Sequence, residues 1–216
     1  YFVHDPAGTE CALIDPGPDD ESHVQALLAA APRRITRILV THTHKDHSPA
    51  AHAMRAATGA LLYGRVADHP EWQDASFRPD HVLSHGDVLP IGPDCTLRVV
   101  HTPGHASNHL CYLLEQERLL LTGDHLMQGS TVVINPPDGD MQIYLDSLHA
   151  LLALELEWLA PGHGFLIDRP HDVVRRTVAH RLQREAKVVD ALRAGGRADI
   201  DALLSVVYQE VPSRLH

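Results

Sequence analysis

No stretch of the 216-residue chain comes near the roughly 18 consecutive apolar residues needed to cross a bilayer. No low-complexity tract, long charge block or internal repeat of fixed period is present either, which excludes a disordered tail and a solenoid. The chain reads as a globular protein without a membrane partner. Basic residues are few: 18 Lys and Arg against 28 Asp and Glu leave a net charge of −10. That balance disfavours the broad basic face of non-specific nucleic-acid binding, while leaving room for a small local basic groove. Cysteine is scarce. Cys11, Cys95 and Cys111 form no CxxC pair, so neither a disulfide framework nor a thiolate zinc site is indicated. They read as core thiols of a reducing compartment, and a cytoplasmic location is expected. An initiator Met is missing too. The chain opens at Tyr1 inside a predicted strand and stops at His216 after a short helical pattern, so both ends read as cut and the lack of a targeting segment carries no weight.

What is present is ample apolar material, 44% of residues, for one large domain or one domain with a fragment beside it. Histidine is abundant, 18 residues, as many as Lys and Arg together. It is the commonest metal ligand and also a routine surface residue, so position decides its meaning.

The apolar pattern predicts strands at Tyr1 to His4 and Cys11 to Asp15, then a helix from Asp19 to Ala31. A strand at Ile35 to Thr41 and an alanine-rich helix from Ser48 to Thr58 follow, with Gly59 as the stop. Two alternations of strand and helix mark an α/β layered domain. From Ala60 to Thr122 short strands dominate, at Leu61 to Gly64, Val82 to Leu83, Thr96 to His101, His109 to Leu114 and Arg118 to Thr122. Helical spacing returns over Met141 to Glu157, gives way to a strand at Trp158 to Ala160, and resumes from Asp172 to Arg193. Asp199 to Tyr208 reads either as the last helix of this domain or as the first of a module cut away at His216.

The densest chemical signal is Thr41-His42-Thr43-His44-Lys45-Asp46-His47, between a predicted strand and a predicted helix. Such a turn can converge alternate side chains on one point, and His42, His44, Asp46 and His47 are all competent metal ligands, whereas Lys45 projects elsewhere. Three more ligand types stand on tight loops after predicted strands: His105 in His101-Thr102-Pro103-Gly104-His105, Asp124 in Leu121-Thr122-Gly123-Asp124, and His163 in Ala160-Pro161-Gly162-His163-Gly164. Each alone is as well read as an ordinary turn residue. Four deliveries at strand ends in one domain are not a coincidence of composition.

With these motifs the chain resembles the metallo-β-lactamase-fold superfamily, in the branch of glyoxalase II and the endoribonuclease-like β-lactamase-like protein 2, from Ile14-Asp15-Pro16-Gly17 to at least Gly164. The resemblance implies an α/β, four-layer αβ/βα sandwich over residues 1–170 with a dinuclear site at one edge. It implies that His42, His44 and His105 hold one metal and Asp46, His47 and His163 the second, with Asp124 bridging. Asp15 would orient a ligand histidine through a hydrogen bond. Such ligation leaves positions open for water and substrate, as a catalytic zinc site requires. Two divalent ions, most simply zinc with iron or manganese as the other candidates, would share a hydroxide that attacks a carbonyl or phosphorus centre. Asp46 and Asp124 are thus the catalytic carboxylates of the expected reaction, which is hydrolysis.

The loop from Gln128 to Asp140 follows Asp124 and reads as either a specificity wall or a plain connection, with Met127, Asn108 and Tyr144 as further candidates. His180-Arg181-Leu182-Gln183-Arg184-Glu185 and the residues up to Pro212 resemble the C-terminal helices of the β-lactamase-like protein 2 group. That similarity implies that residues 171–216 open a truncated winged-helix-like module, and it brings single-stranded RNA in as a partner. Arg175, Arg176, Arg181 and Arg184 would then offer phosphate contacts, or else form a solvated helix face. The sequence departs from zinc β-lactamases that use a cysteine ligand, since His47 stands in the second site, and it has no exosite arm of the tRNA-processing nucleases. The expectation is a hydrolase of a small ester or thioester. A metal-dependent endoribonuclease is the second reading. A mononuclear iron oxygenase of the persulfide type, using His42, His105 and Asp124, and a metal-stabilised domain without turnover are the others.

Overall fold

The computed structural model describes residues 1–196 and 199–208. Readings that reach 197–198 or 209–216, including the segment up to Pro212, lie outside the described residues. The first sheet has five strands in the order β1 (Phe2–His4), β2 (Glu10–Ile14), β3 (Arg34–Leu39), β4 (Leu61–Gly64) and β5 (His81–Val82). β1 runs antiparallel to β2, and β2 through β5 are parallel. The second sheet has six strands in the order β11 (Ile167–Asp168), β10 (Trp158–Pro161), β9 (Leu119–Gly123), β8 (Leu110–Leu114), β7 (Cys95–His101) and β6 (Val88–Gly92). The α-helices among the described residues are α1 (Glu21–Ala30), α2 (Ala51–Thr58), α3 (Met141–Leu151), α4 (Pro170–Gly195) and α5 (Ile200–Val207).

Alternation along the strands builds the layers. Ala12, Ile14 and Leu39 of the first sheet face Leu97, Val99, Leu110, Tyr112 and Leu121 of the second and form the interior of the sandwich. The intervening residues Cys11, Leu13, Ile38 and Val40 point the other way, onto Val24 of α1 and Ala51 and Met54 of α2. α3 supplies the fourth layer with a buried stripe of Tyr144, Leu145, Leu148 and Leu151. It is anchored where Ser147 Oγ donates to Pro103 O and Tyr144 Oη to His125 O, both 2.8 Å. The architecture is the α/β sandwich that the sequence resemblance implies.

Backbone contacts divide the chain into two compact units, Tyr1–His171 and Asp172–His216, with α4 running across the boundary. Within the second unit Arg184 donates to Val207 O at 2.7 Å and lies 4.3 Å over the Tyr208 ring. This arginine, read from sequence as either a phosphate contact or part of a solvated helix face, is engaged inside its own unit.

Three departures from the sequence reading have local causes. β6 escapes a pattern search because Pro90 interrupts it. As the edge of its sheet, with a register shift between Pro90 and Gly92, it accommodates a residue that cannot donate. α3 stops at Leu151 rather than Glu157: Ala153 and Leu154 donate to Ala150 and Leu151 in tight turns, and Glu157 N then binds Arg118 O to start β10. α2 begins at Ala51 rather than Ser48, whose hydroxyl donates instead to Asp74 Oδ2. The two-residue β11 carried no pattern at all.

Polar links cross between the sheets near the Thr41 turn: Leu110 N donates to Thr41 O at 2.7 Å, and the fully buried Tyr112 Oη to Val40 O at 2.8 Å. Removing the phenol leaves the buried Val40 carbonyl without that donor, a cost of about 1–3 kcal/mol. Tyr112→Phe is expected to lower the urea unfolding free energy by that amount at unchanged slope; a change under about 0.3 kcal/mol would show that the link is not stabilising.

Candidate metal centre

The sequence-predicted ligands all follow the C-terminal ends of strands that run the same way in their sheets. β9 and β10 are parallel, and β7 shares their direction because it is antiparallel to β8, which is antiparallel to β9. The loops after β7, β9 and β10 deliver His105, Asp124 and His163, and the loops after β2 and β3 deliver Asp15 and His42 to His47. Two backbone bonds fasten neighbouring tips: Asp15 N donates to Leu39 O at 2.9 Å and Gly162 N to Gly123 O at 2.8 Å.

The donor atoms gather in two groups, His42 with His44 and His105, and Asp46 with His47, Asp124 and His163; within each group they lie within 4.8 Å of one another. In the first group His44 Nδ1 is 2.9 Å from His42 Nε2 and 3.0 Å from His105 Nε2. In the second, His163 Nε2 is 3.1 Å from Asp46 Oδ2, and His47 Nε2 is 3.6 Å from the same oxygen. Asp124 stands between them. Its Oδ1 faces His47 Nε2 at 3.3 Å and His163 Nε2 at 3.5 Å, while its Oδ2 faces His105 Nε2 at 3.8 Å.

Hydrogen bonding decides which nitrogens are free. Thr41 Oγ1 donates to Asp15 Oδ2 at 2.7 Å, so it accepts from His42 Nδ1 at 3.0 Å, which leaves a lone pair on His42 Nε2. His105 Nδ1 donates to Val133 O at 2.7 Å, and His47 Nδ1 donates to Asp15 Oδ2 at 2.9 Å. Both rings therefore turn Nε2 inward, bare on His105 and bare on His47 once a cation displaces its second proton. A single proton on His44 Nδ1 cannot serve both lone pairs that face it, and buried His47 Nε2 and Asp124 Oδ1 have no hydrogen-bond partner. Converging lone pairs with orphaned buried acceptors are a poor arrangement for protons and a good one for cations, so this donor set fits divalent metal ions.

The electrostatics agree. Burial holds His42 well below the ordinary histidine value, helped by His47, His109 and His105, and pushes His44 down to about 4 together with His105 and His47. Burial opposes the charge on His47, yet the carboxylates of Asp15 and Asp124 overcome it and carry that ring up to about 10. Burial likewise opposes the charge on Asp124, and His47 nonetheless holds it below the ordinary carboxylate value. Without a metal, then, one proton on His47 is the positive charge at the heart of the cluster.

Asp15 takes its position at a backbone cost, with φ of 50° in the left-handed region that non-glycine residues avoid. Gly162 is required by crowding: a Cβ there would lie 2.9 Å from Asp124 Oδ1 and 2.9 Å from His47 Cε1.

A cavity of about 350 Å³ opens over both groups, lined by His44, Asp46, His105, Asp124, Val133, Asn135 and Asp138. The loop after Asp124 is thus a wall of the cavity. Asp138 ties it down: its Oδ1 accepts from Ser107 Oγ and its Oδ2 from Gln73 Nε2, both at 2.5 Å. Met127, Asn108 and Tyr144 are not among the lining residues. Asn108 is buried and donates to Thr43 Oγ1 and Arg65 O; Tyr144 is core, as its helical stripe suggests. Lys45 is exposed and outside the lining, as expected.

Two buried histidines went unread. His109 Nε2 accepts the backbone N–H of Asp124 at 3.2 Å, so its Nδ1 carries the proton, which it gives to Thr102 Oγ1 at 2.9 Å. His125, pushed down to about 3 by burial, lies between His109 and Tyr144, tilted against the first ring and edge-on to the second. His109 looked like the first residue of a strand and His125 like a neighbour of Asp124; only the folded contacts give them a task.

The family model described as Metallo-beta-lactamase superfamily matches residues 1–163, and the chain belongs to that superfamily. It is similar to lactamase-like protein aptB of Emericella nidulans, at 30% identity over 88% of this chain and 60% of that protein. It is similar to an atrochrysone carboxyl ACP thioesterase of Aspergillus fumigatus, at 28% over 95% and 67%, and to the beta-lactamase-like protein 2 homolog of Drosophila melanogaster, at 28% over 97% and 74%. The chain spans between about a third and three quarters of the length of the curated relatives it matches, from 34% to 74%. Among solved structures it resembles TTHA1623 in a di-iron-bound form, with a TM-score of 0.66 and 26% identity over 82% of this chain and 91% of that one.

The pKa directions predict how the chelator-treated protein responds to pH. His42, His44, His109 and His125 have folded values below the ordinary 6.5, with His44 near 4 and His125 near 3. The unfolded chain therefore binds more protons below 6.5, and stability falls as pH drops through 6.5 towards 4. His47, raised to about 10, acts in the opposite sense: its contribution is full below 6.5 and is lost as pH rises towards 10. The urea midpoint should peak near neutrality and decline on both sides. A midpoint constant between pH 7 and pH 4 would contradict the neutral buried histidines.

Proposed function

We propose that the chain is a metal-dependent hydrolase of thioesters or esters. The observation that carries this reading is the pair of donor groups, joined through the two oxygens of Asp124, on the floor of an accessible cavity. His42, His44 and His105 would hold one divalent cation, Asp46, His47 and His163 a second, and Asp124 both. Bound there, such cations supply a water of lowered pKa and a Lewis acid for the carbonyl oxygen. Zinc suits the imidazole and carboxylate donors, and iron suits them as well; a di-iron form is known for a protein that this one resembles.

The remaining chemistry belongs to the chain. Hydrolysis breaks the acyl C–S or C–O bond, forms a new C–O bond to water, and moves one proton from that water to the leaving group. Asp46 is the exposed carboxylate of the cluster, and it lines the cavity beside His163. Its other carboxylate oxygen, not the Oδ2 that faces His163 and His47, would take the proton from the attacking water and return it to the departing sulfur or oxygen. Asp15, through Thr41 and His47, keeps the imidazoles in the tautomers that face inward. The thioesterase named among the relatives supports the carbonyl reading. No lysine or arginine is among the described residues lining the cavity, which weighs against a phosphodiester as the substrate.

Dialysis against a strong chelator should abolish hydrolysis of a simple thioester, and zinc or iron should restore it. Asp46→Ala should lower kcat at least about 100-fold, because loss of groups merely supporting metal ligands already costs 10–100-fold in such sites. Elemental analysis should find two metal ions per chain in the parent and fewer in the variant. Full activity in chelator, or oxygen consumption with a single iron that Asp46→Ala leaves in place, would overturn the reading.

A further inference from the structure

We infer that the site takes an uncharged, apolar acyl group, held at the rim of the cavity by Val133 and Phe165. This rests on the hydrolase reading above and goes further by naming the substrate class. Val133 is 71% exposed and Phe165 is 79% exposed, the two highest values among the large apolar residues of the Tyr1–His171 unit. Neither belongs to a slack loop. The Val133 carbonyl accepts from His105 Nδ1 at 2.7 Å, so the backbone that carries this side chain also fixes a donor of the first group. Phe165 follows His163 by two residues, and its N–H donates to Gln128 Oε1 at 2.9 Å. Gly164 lets that turn close on Gln128: its φ is +100°, and a Cβ would lie 2.7 Å from Gln128 Cβ. Gln128 in turn opens the loop that carries Val133. One bracket thus carries an exposed apolar side chain on each of two segments that also serve the donor set, Val133 through its bond to His105 and Phe165 two residues after His163, and Leu166, 52% exposed, follows it. Held rigidly in solvent, these side chains gain free energy when a ligand covers them.

The charge on the wall points the same way. Asp46, Asp124 and Asp138 line the cavity. Asp138 receives Ser107 Oγ, Ser107 N and Gln73 Nε2, all neutral donors, and no ion pair involves it among the described residues. Its negative charge is fixed in place and uncompensated. Asp46 and Asp124 would be offset by the bound cations, which leaves Asp138 as the charge of the wall; a second carboxylate on an acyl chain that reaches it would meet a like charge and no lysine or arginine among the described lining residues, so this wall selects against dicarboxylic acyl groups.

The test measures thiol release from N-acetylcysteamine thioesters by the metal-loaded protein. The expected kcat/KM rises about tenfold from acetyl to hexanoyl, and butyryl exceeds succinyl, its anionic counterpart of equal length, by about tenfold. Phe165→Ser, a change at an exposed site, should pull the hexanoyl-to-acetyl ratio towards one, mainly through KM. Val82→Ser, at a residue 66% exposed on the edge strand β5, should leave the ratio where it was. Turnover with succinyl equal to butyryl, or a Phe165→Ser ratio unchanged from the parent, would overturn the inference and leave the hydrolase reading standing. No release from any of these thioesters by protein carrying two metals would remove the thioesterase reading and the inference with it.

Discussion

The carboxylate of Asp15 receives hydrogen bonds from the Thr41 amide, the Thr41 hydroxyl and His47 Nδ1, and the rest of the centre is arranged around that fact. Through Thr41 it sets the proton on the outer nitrogen of His42, and directly it sets the proton on the outer nitrogen of His47. Each donor group thereby gains an inward-facing Nε2 whose direction is decided before any ligand arrives. The residue holds a left-handed backbone to do this, a strain that only a well-tied surrounding can keep. Loss of the carboxylate would do more than weaken one contact. Both rings would be free to turn or to change tautomer.

The topology makes that arrangement possible. Two sheets packed face to face bring the ends of β2 and β3 against those of β7, β9 and β10, and the Tyr112 and Leu110 links clamp the sheets close to the Thr41 turn. Because the donors sit on short loops attached to rigid strands, their spacing is inherited from the sandwich. The long loop after Asp124 is fastened at several points, by Val133 O, by Asp138 and by the Asp140 N to Gly104 O bond.

Much of this was legible in the sequence because its signals are local. Thr41 to His47 places several ligand types within seven residues of a strand end, and the turns at His105, Asp124 and His163 carry glycine or proline beside the donor. Periodicity located most strands and helices for the same reason, since alternation over a few residues reflects the face that each one buries. What could not be read depends on contacts between distant residues. Asp138 gains its role only by meeting Gln73, 65 residues earlier. His109 gains its role from the Asp124 amide, and Phe165 gains its meaning from exposure. β6 was hidden because Pro90 is tolerated only at a sheet edge, and strand order is not written locally.

The central claim is that these side chains build two cation sites sharing Asp124. The most direct measurement is an anomalous difference map from a crystal grown with zinc. Two peaks are predicted, one among His42, His44 and His105 and one among Asp46, His47 and His163, each in contact with an oxygen of Asp124. A single peak at the three histidines, with His47 still hydrogen-bonded as a proton carrier between Asp15 and Asp124, would contradict the account.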